Sequence, residues 1–171
     1  MIQDKIIDLF GFLTLLSHIF ILLFLFSHIF KIKALNDVKH YLKKNSLLFS
    51  FLLSLGAVLG SLFFSEIMGF EACILCWYQR IIVFPLPVIL LVALIKKDKN
   101  VRNYVLPLIS IGGLIALYNV IVERTGSKFC DTASLIPCDV IYFTQFNYIT
   151  IPVMSLTLFV LLGILMHLSK D

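Results

Sequence analysis

Five stretches of the chain are each apolar for close to the roughly 20 residues that a helix rising about 1.5 Å per residue needs to cross about 30 Å of hydrocarbon. They run from Leu9 to Phe30, Ser46 to Ser65, Trp77 to Ile95, Tyr104 to Val122 and Tyr148 to Leu168. No water is present inside a bilayer to solvate a bare N–H or C=O, so spans of this length fold as helices. With 60% of its 171 residues hydrophobic, the chain leaves no room for a sizeable soluble domain beside them. The sequence predicts an all-α integral membrane protein.

The connections between spans decide its orientation. Lys31, Lys33, Lys39, Lys43 and Lys44 fill the first, and Lys96, Lys97, Lys99 and Arg102 crowd the third, which makes both cytoplasmic. The second, from Glu66 to Leu75, has no basic residue. The fourth, from Glu123 to Asn147, offsets Arg124 and Lys128 with Glu123, Asp131 and Asp139. Both therefore face outward. Alternation then gives an outside N-terminus, a cytoplasmic C-terminus and four cysteines on the outer side. The net charge of +4 reports this asymmetry, and no basic stripe points to a nucleic-acid partner.

The first span is longer than the core of a secretory signal and no small-residue cleavage site follows it, so it reads as a retained helix. It repeats Ser-His-Ile-Phe at Ser17 to Phe20 and Ser27 to Phe30. Ten residues at about 100° each leave His18 and His28 roughly 80° apart, so they do not stack. Each reads as a buried or interfacial histidine rather than a metal ligand or proton relay; His40 reads as solvated and His167 as interfacial. Pro85, Pro87, Pro107 and Pro152 are expected to be tolerated inside their spans, where neighbouring groups satisfy the freed backbone. Gly56 and Gly60 form a small-xxx-small pair suited to close packing within the chain. A monomer surrounded by lipid is expected.

Chemistry resides in the cysteines. Cys73 and Cys76 form Cys-Ile-Leu-Cys at the outer start of the third span, and Cys130 and Cys138 lie in the fourth connection. A C-x-x-C at a helix N-terminus meets unpaired amides and the positive end of the helix dipole, both of which favour the reactive thiolate. Arg80 follows Cys76 by four residues, on the same helix face about one turn deeper. A permanent cation at that depth is costly and serves either to snorkel to headgroups or to stabilise a thiolate and a reduced quinone oxygen. Trp77 and Tyr78 fit an interfacial aromatic belt. The second pair, separated by seven residues, closes easily into a structural disulfide. Its small-residue surroundings, Ser127, Thr132, Ala133 and Ser134, equally suit exchange with another protein's thiolate. From the residues alone, staples, a metal site and a relay all stay open.

The block Cys73 to Pro85, reading Cys-Ile-Leu-Cys-Trp-Tyr-Gln-Arg-Ile-Ile-Val-Phe-Pro, closely resembles the DsbB family of disulfide-forming membrane proteins, and its BdbC branch in particular. Supporting matches are Ala116-Leu117-Tyr118, Ile136-Pro137-Cys138 and Thr150-Ile151-Pro152, so the similarity runs over roughly residues 46 to 168. The resemblance implies a four-helix transmembrane bundle over residues 46 to 171. An extra N-terminal transmembrane helix and a basic loop then occupy residues 1 to 45.

It further implies a thiol:quinone oxidoreductase of the bacterial inner membrane, with ubiquinone or menaquinone as cofactor. Its partner is an extracytoplasmic, DsbA-like thioredoxin-fold oxidase. Cys73 and Cys76 match the quinone-side pair, with Cys76 nearest the quinone, and Arg80 matches the family arginine that contacts it. Cys130 and Cys138 match the loop pair: Cys130 exchanges with the soluble partner and Cys138 passes electrons to Cys73.

Three features depart from the pattern. The helix from Leu9 to Phe30 is additional, and it is expected to serve stability or assembly more than turnover. Gln79 stands where some relatives carry an acid, and Asn119 where some carry a histidine. The short spacing from Cys130 to Cys138 leaves little room for a longer inter-cysteine segment. Rival readings are a vitamin K epoxide reductase-like enzyme, whose C-x-x-C follows its loop cysteines, a four-cysteine metal site, and a membrane subunit stapled by two inert disulfides.

Overall fold

The computed structural model describes residues 2–30, 36–98, 100–126 and 137–169. These fold as α1 (Ile2–Ile29), α2 (Asn36–Leu62) continued by a π-helical turn (Phe63–Ile67), α3 (Ile74–Val83), α4 (Leu86–Lys96), α5 (Val101–Thr125) and α6 (Ile151–Leu168). Five segments are long and apolar enough to cross a membrane, α3 and α4 together forming the third. The protein is therefore an all-α, multi-pass membrane protein, as the apolar spacing predicts.

Within the bundle α5 lies along α6, α6 along α2, α2 against α4, and α3 against α5. The core at their centre is built from Leu86, Leu90, Val105, Ile109, Phe159 and Leu162, joined by Met166 and Ala116. Gly112 lets the α5–α6 pair close, because a Cβ there would lie 2.2 Å from Cε1 of Phe159. Dispersion contacts of this kind, rather than a hydrophobic drive from lipid, hold membrane helices together.

Four boundaries differ from the sequence reading, each for a local reason. The second span begins at Asn36, so Lys39, Lys43 and Lys44 sit on the first turns of α2 instead of in a loop, and His40 there is exposed. The third span is not one continuous helix. Pro85 and Pro87 lack the N–H groups that would reach the carbonyls of Ile81 and Val83, so the hydrogen-bond ladder is interrupted between α3 and α4, although Phe84 and Pro85 stay in the right-handed helical region. Hydrogen bonds resume on either side, from the Phe84 amide to Arg80 (2.9 Å) and from Ile89 to Pro85 (3.0 Å). Pro107 inside α5 and Pro152 in the first turn of α6 are tolerated as expected. The fourth span continues to Thr125 and stops at Gly126 in the left-handed region (φ 61°), which carries Glu123 onto the helix. The fifth starts at Ile151, because Gln145 to Ile149 turn back on one another through paired backbone bonds of 2.8 Å.

Contacts of α1 with the bundle are few and specific. Its His18 bonds through Nε2 to the Thr157 hydroxyl (2.8 Å) and through Nδ1 to the Tyr148 hydroxyl (3.1 Å), while Gln145 donates to Asp8 (2.9 Å). Phe10 packs on Gly60, where a Cβ would stand 3.0 Å from the ring. Of the small-xxx-small pair, Gly60 thus receives a side chain of the same protein, whereas a Cβ at Gly56 would meet nothing within 4 Å. The side chain of His28 lies outside the described residues.

Candidate functional site

Cys73 is the N-cap residue of α3, in extended backbone conformation (φ −66°, ψ 170°), and Cys76 stands in the first turn. The nearly complete turn between them brings the two sulfurs to 3.3 Å, within a thiol hydrogen bond. Both are free thiols. That hydrogen bond is the largest influence holding the Cys73 thiol below its ordinary value; burial works against it, and the amides of Cys76 and Leu75 assist. Asn119, in the C-terminal part of α5, donates from Nδ2 to the Cys76 sulfur at 3.6 Å.

Cys138 is buried and disulfide-bonded, and it packs in one apolar cluster with Cys73, Leu75 and Val122. Cys130 lies outside the described residues. The segment carrying Cys138 is tied to the one carrying Cys73 by a hydrogen bond from the Tyr142 hydroxyl to the Glu71 carbonyl, 2.8 Å. Around it Phe70 stacks on Tyr142 (4.6 Å between centroids) and Phe64 contacts Phe143 (5.6 Å) and Phe10 (5.3 Å). Rings from α1, the π-helical turn and both cysteine-bearing connections meet in this cluster.

Arg80 points its guanidinium at the Trp77 ring (5.3 Å) and donates to the Ser61 carbonyl (3.3 Å). Those contacts fix it between α3 and α2, so it does not simply extend to headgroups. Gln79 accepts a hydrogen bond from Ser155 on α6, and its Nε2, like Oδ1 of Asn119, is a buried polar atom with no hydrogen-bond partner among the described residues. Glu123 is buried and accepts from the Thr150 hydroxyl at 2.7 Å.

The cysteines described above and the polar groups around them open onto one cavity of about 880 Å³. Its wall includes Cys73, Cys76, Cys138, Arg80, Gln79, Asn119 and Glu123, and the remainder is mainly apolar side chains of α1, α2, α3 and α6. The cysteines singled out in the sequence, Cys130 excepted, and Arg80 therefore converge. Among the described residues, no group of three or more histidines, cysteines or carboxylates is placed to hold a metal ion. Sequence reasoning counted Glu123 among loop acids and gave no role to Tyr142. A signal for the former was present: Asn119 and Glu123, four residues apart on an otherwise apolar helix, share one face.

The family model described as disulfide bond formation protein DsbB matches residues 43–168. The SPbeta prophage-derived disulfide bond formation protein B of Bacillus subtilis is 45% identical over 121 residues, 70% of this chain and 81% of the relative. Disulfide bond formation protein C of the same organism is 42% identical over 134 residues, 74% and 96% of the two chains. Probable disulfide formation protein C 1 of Bacillus cereus is 42% identical over 110 residues, 63% and 79%. No solved structure matches the chain. With three-quarters of its length inside the family model and a free Cys-x-x-C beside a disulfide-bonded cysteine, the chain belongs to the DsbB family of disulfide bond formation proteins.

Proposed function

We propose that this protein is a membrane thiol:quinone oxidoreductase that reoxidises an extracytoplasmic thioredoxin-fold oxidase. The observation that carries the reading is the shared cavity: a free dithiol, a disulfide-bonded cysteine and a fixed cation line one apolar space. The lysine-rich ends of α2 and α4 belong on the cytoplasmic side, which puts the N-terminus and the cysteines outside. The inner (plasma) membrane of a bacterium is the proposed setting.

Disulfide exchange moves the electrons through the chain. A thiolate of the soluble partner attacks Cys130, and the Cys130–Cys138 bond breaks to leave Cys138 as a thiolate. Cys138 attacks Cys73 of the oxidised helix pair, releasing Cys76. The partner's second thiol then closes the partner's disulfide and frees Cys130. Attack by Cys130 on Cys138 restores the loop disulfide and leaves Cys73 and Cys76 reduced. That distribution of thiols and disulfide is the one described here for Cys73, Cys76 and Cys138.

The residues present fit a quinone. Its ring oxygens are acceptors when oxidised and gain O–H donors when reduced; the orphaned Nε2 of Gln79 and Oδ1 of Asn119 offer one group of each kind. Arg80 supplies the cation, and the apolar wall suits a lipid tail. A bound quinone supplies an acceptor for the two electrons and two protons released when Cys73 and Cys76 close their disulfide. Asn119 orients the Cys76 sulfur, and the Cys73 thiol, already held toward ionisation, is the first to lose its proton.

The test is turnover of purified protein. A small dithiol should drive quinone reduction, and a reduced thioredoxin-fold oxidase should be reoxidised in step with it. Retention of both activities after Cys73 and Cys76 are changed to Ser would refute the reading.

A further inference from the structure

Residues of α1 that face the cavity are Ile6, Phe10, Leu13, Thr14 and Ser17, spaced as one helical stripe. This stripe lies outside the family match, which begins at residue 43, after α1 has ended. The polar contacts beside it set the position of α1 along the bundle. Asp8 meets Gln145, a Cβ at Gly11 would lie 3.0 Å from the Gln145 side chain, and His18 meets Thr157. Phe10 spans to α2 through Gly60 and Phe64. The helix thus lies over the seam between α2 and α6, on the half of the bundle that holds the cysteines.

We infer that α1 is a fifth wall of the acceptor site, with the Phe10 to Thr14 face setting how tightly a quinone is held. The inference rests on the thiol:quinone reading above. Phe10 is the chief contributor, because its ring joins the aromatic cluster that also holds Phe70 and Tyr142, beside both cysteine-bearing segments. Leu16, by contrast, does not line the cavity. Thiol exchange takes place at Cys73 and Cys138 and makes no use of α1, so loss of the wall should weaken acceptor binding and leave the sulfur chemistry intact.

Trp77, the single tryptophan of the chain, reports occupancy because the Arg80 guanidinium at the cavity wall lies 5.3 Å from its ring. Oxidised full-length protein is titrated with decyl-ubiquinone while Trp77 emission is followed, without dithiol. Phe10→Ala should raise the dissociation constant about threefold to tenfold, the range expected for losing one aromatic contact. Phe10→Leu should fall between it and wild type, and Leu16→Ala should match wild type. In dithiol-driven turnover the quinone KM should rise by the same factor while kcat stays within about twofold, the pattern of lost uniform binding. Leu13→Ala undergoes the same titration in case Phe10→Ala does not fold. Unchanged dissociation constants in Phe10 and Leu13 variants that melt with wild type would overturn the wall while leaving the thiol:quinone reading standing. Failure of wild type itself to bind or reduce quinone would reject that reading and the wall with it.

Discussion

The Tyr142 hydroxyl lies 2.8 Å from the Glu71 carbonyl, and through that one hydrogen bond the connection bearing Cys138 is fastened to the connection bearing Cys73. Glu71 precedes Cys73 by two residues and Tyr142 follows Cys138 by four, so the bond acts on both sulfurs at once. Tyr142→Phe keeps the ring stacked on Phe70 but removes the donor. Oxidation of a protein thiol partner should slow by up to about tenfold, the equivalent of one neutral hydrogen bond. Quinone reduction driven by a small dithiol should be unchanged. Equal slowing of both would show that the bond supports the fold and not the exchange between pairs.

Division of labour between the cysteine pairs gives a second expectation. With Cys130 and Cys138 both changed to Ser, purified protein should still reduce quinone with a small dithiol, while oxidation of a protein partner fails. Cys73→Ser should leave the Cys76 thiolate beside added quinone and produce a visible charge-transfer band. Arg80→Met should weaken that band and raise the quinone concentration needed for turnover. Quinone reduction lost in the loop double variant but kept in a Cys73, Cys76 double variant would reverse the assignment.

The depressed Cys73 thiol makes the helix pair sensitive to pH in a defined direction. Its thiolate is populated above the folded pKa, which lies below the ordinary thiol value of about 8.5. Iodoacetamide alkylation of the reduced protein should therefore rise and level off at a lower pH than for a free cysteine. The reduced state gains from ionisation above that point, so the slope of the pair's reduction potential against pH should halve there. Cys76→Ala removes the neighbouring S–H and should move the alkylation midpoint of Cys73 upward. An unmoved midpoint would assign the shift to the backbone amides instead.

Topology is open to direct labelling. An impermeant maleimide applied to intact cells should reach a cysteine added before α1 and, after reduction, Cys130. Labelling of both only after lysis would invert the orientation drawn from the lysines.

Gly112 offers a test of the packing beneath the site. Gly112→Ala places a methyl carbon about 2.2 Å from the buried Phe159 ring, and overpacking of this kind typically costs about 1–3 kcal/mol. The variant should melt at lower temperature in detergent. Gly163→Ala, whose Cβ would meet nothing nearer than 3.9 Å, serves as the tolerant comparison.

The features legible in the sequence are those that a bilayer or a redox site imposes locally. A span must be about 20 apolar residues long, and an exchange pair at a helix start must be close in sequence. Five spans, the Cys73–Cys76 pair and Arg80 follow from those constraints. Contacts fixed by tertiary packing were not legible. Nothing in residues 10 and 60, or 18 and 157, announces that a phenylalanine meets a glycine and a histidine meets a threonine. Glu123 was misplaced because the apolar run ends at Val122, whereas the helix continues over a carboxylate that the Thr150 hydroxyl solvates. Pro85 and Pro87 are absorbed within one span as expected, but the split of that span into α3 and α4 was not foreseen; the two prolines remove two amide donors from one turn.

That interruption divides the third span by task. The ten residues of α3 make a segment about 15 Å long, with Cys73 and Cys76 at its outer end and Ile82 and Val83 in the core at its inner end. The inner end is anchored in the same packing as Leu86 and Leu90 of α4. The two sulfurs are thus carried on a short arm rooted in the core, and their reach toward Cys138 is set by side chains that lie within about three helical turns below them.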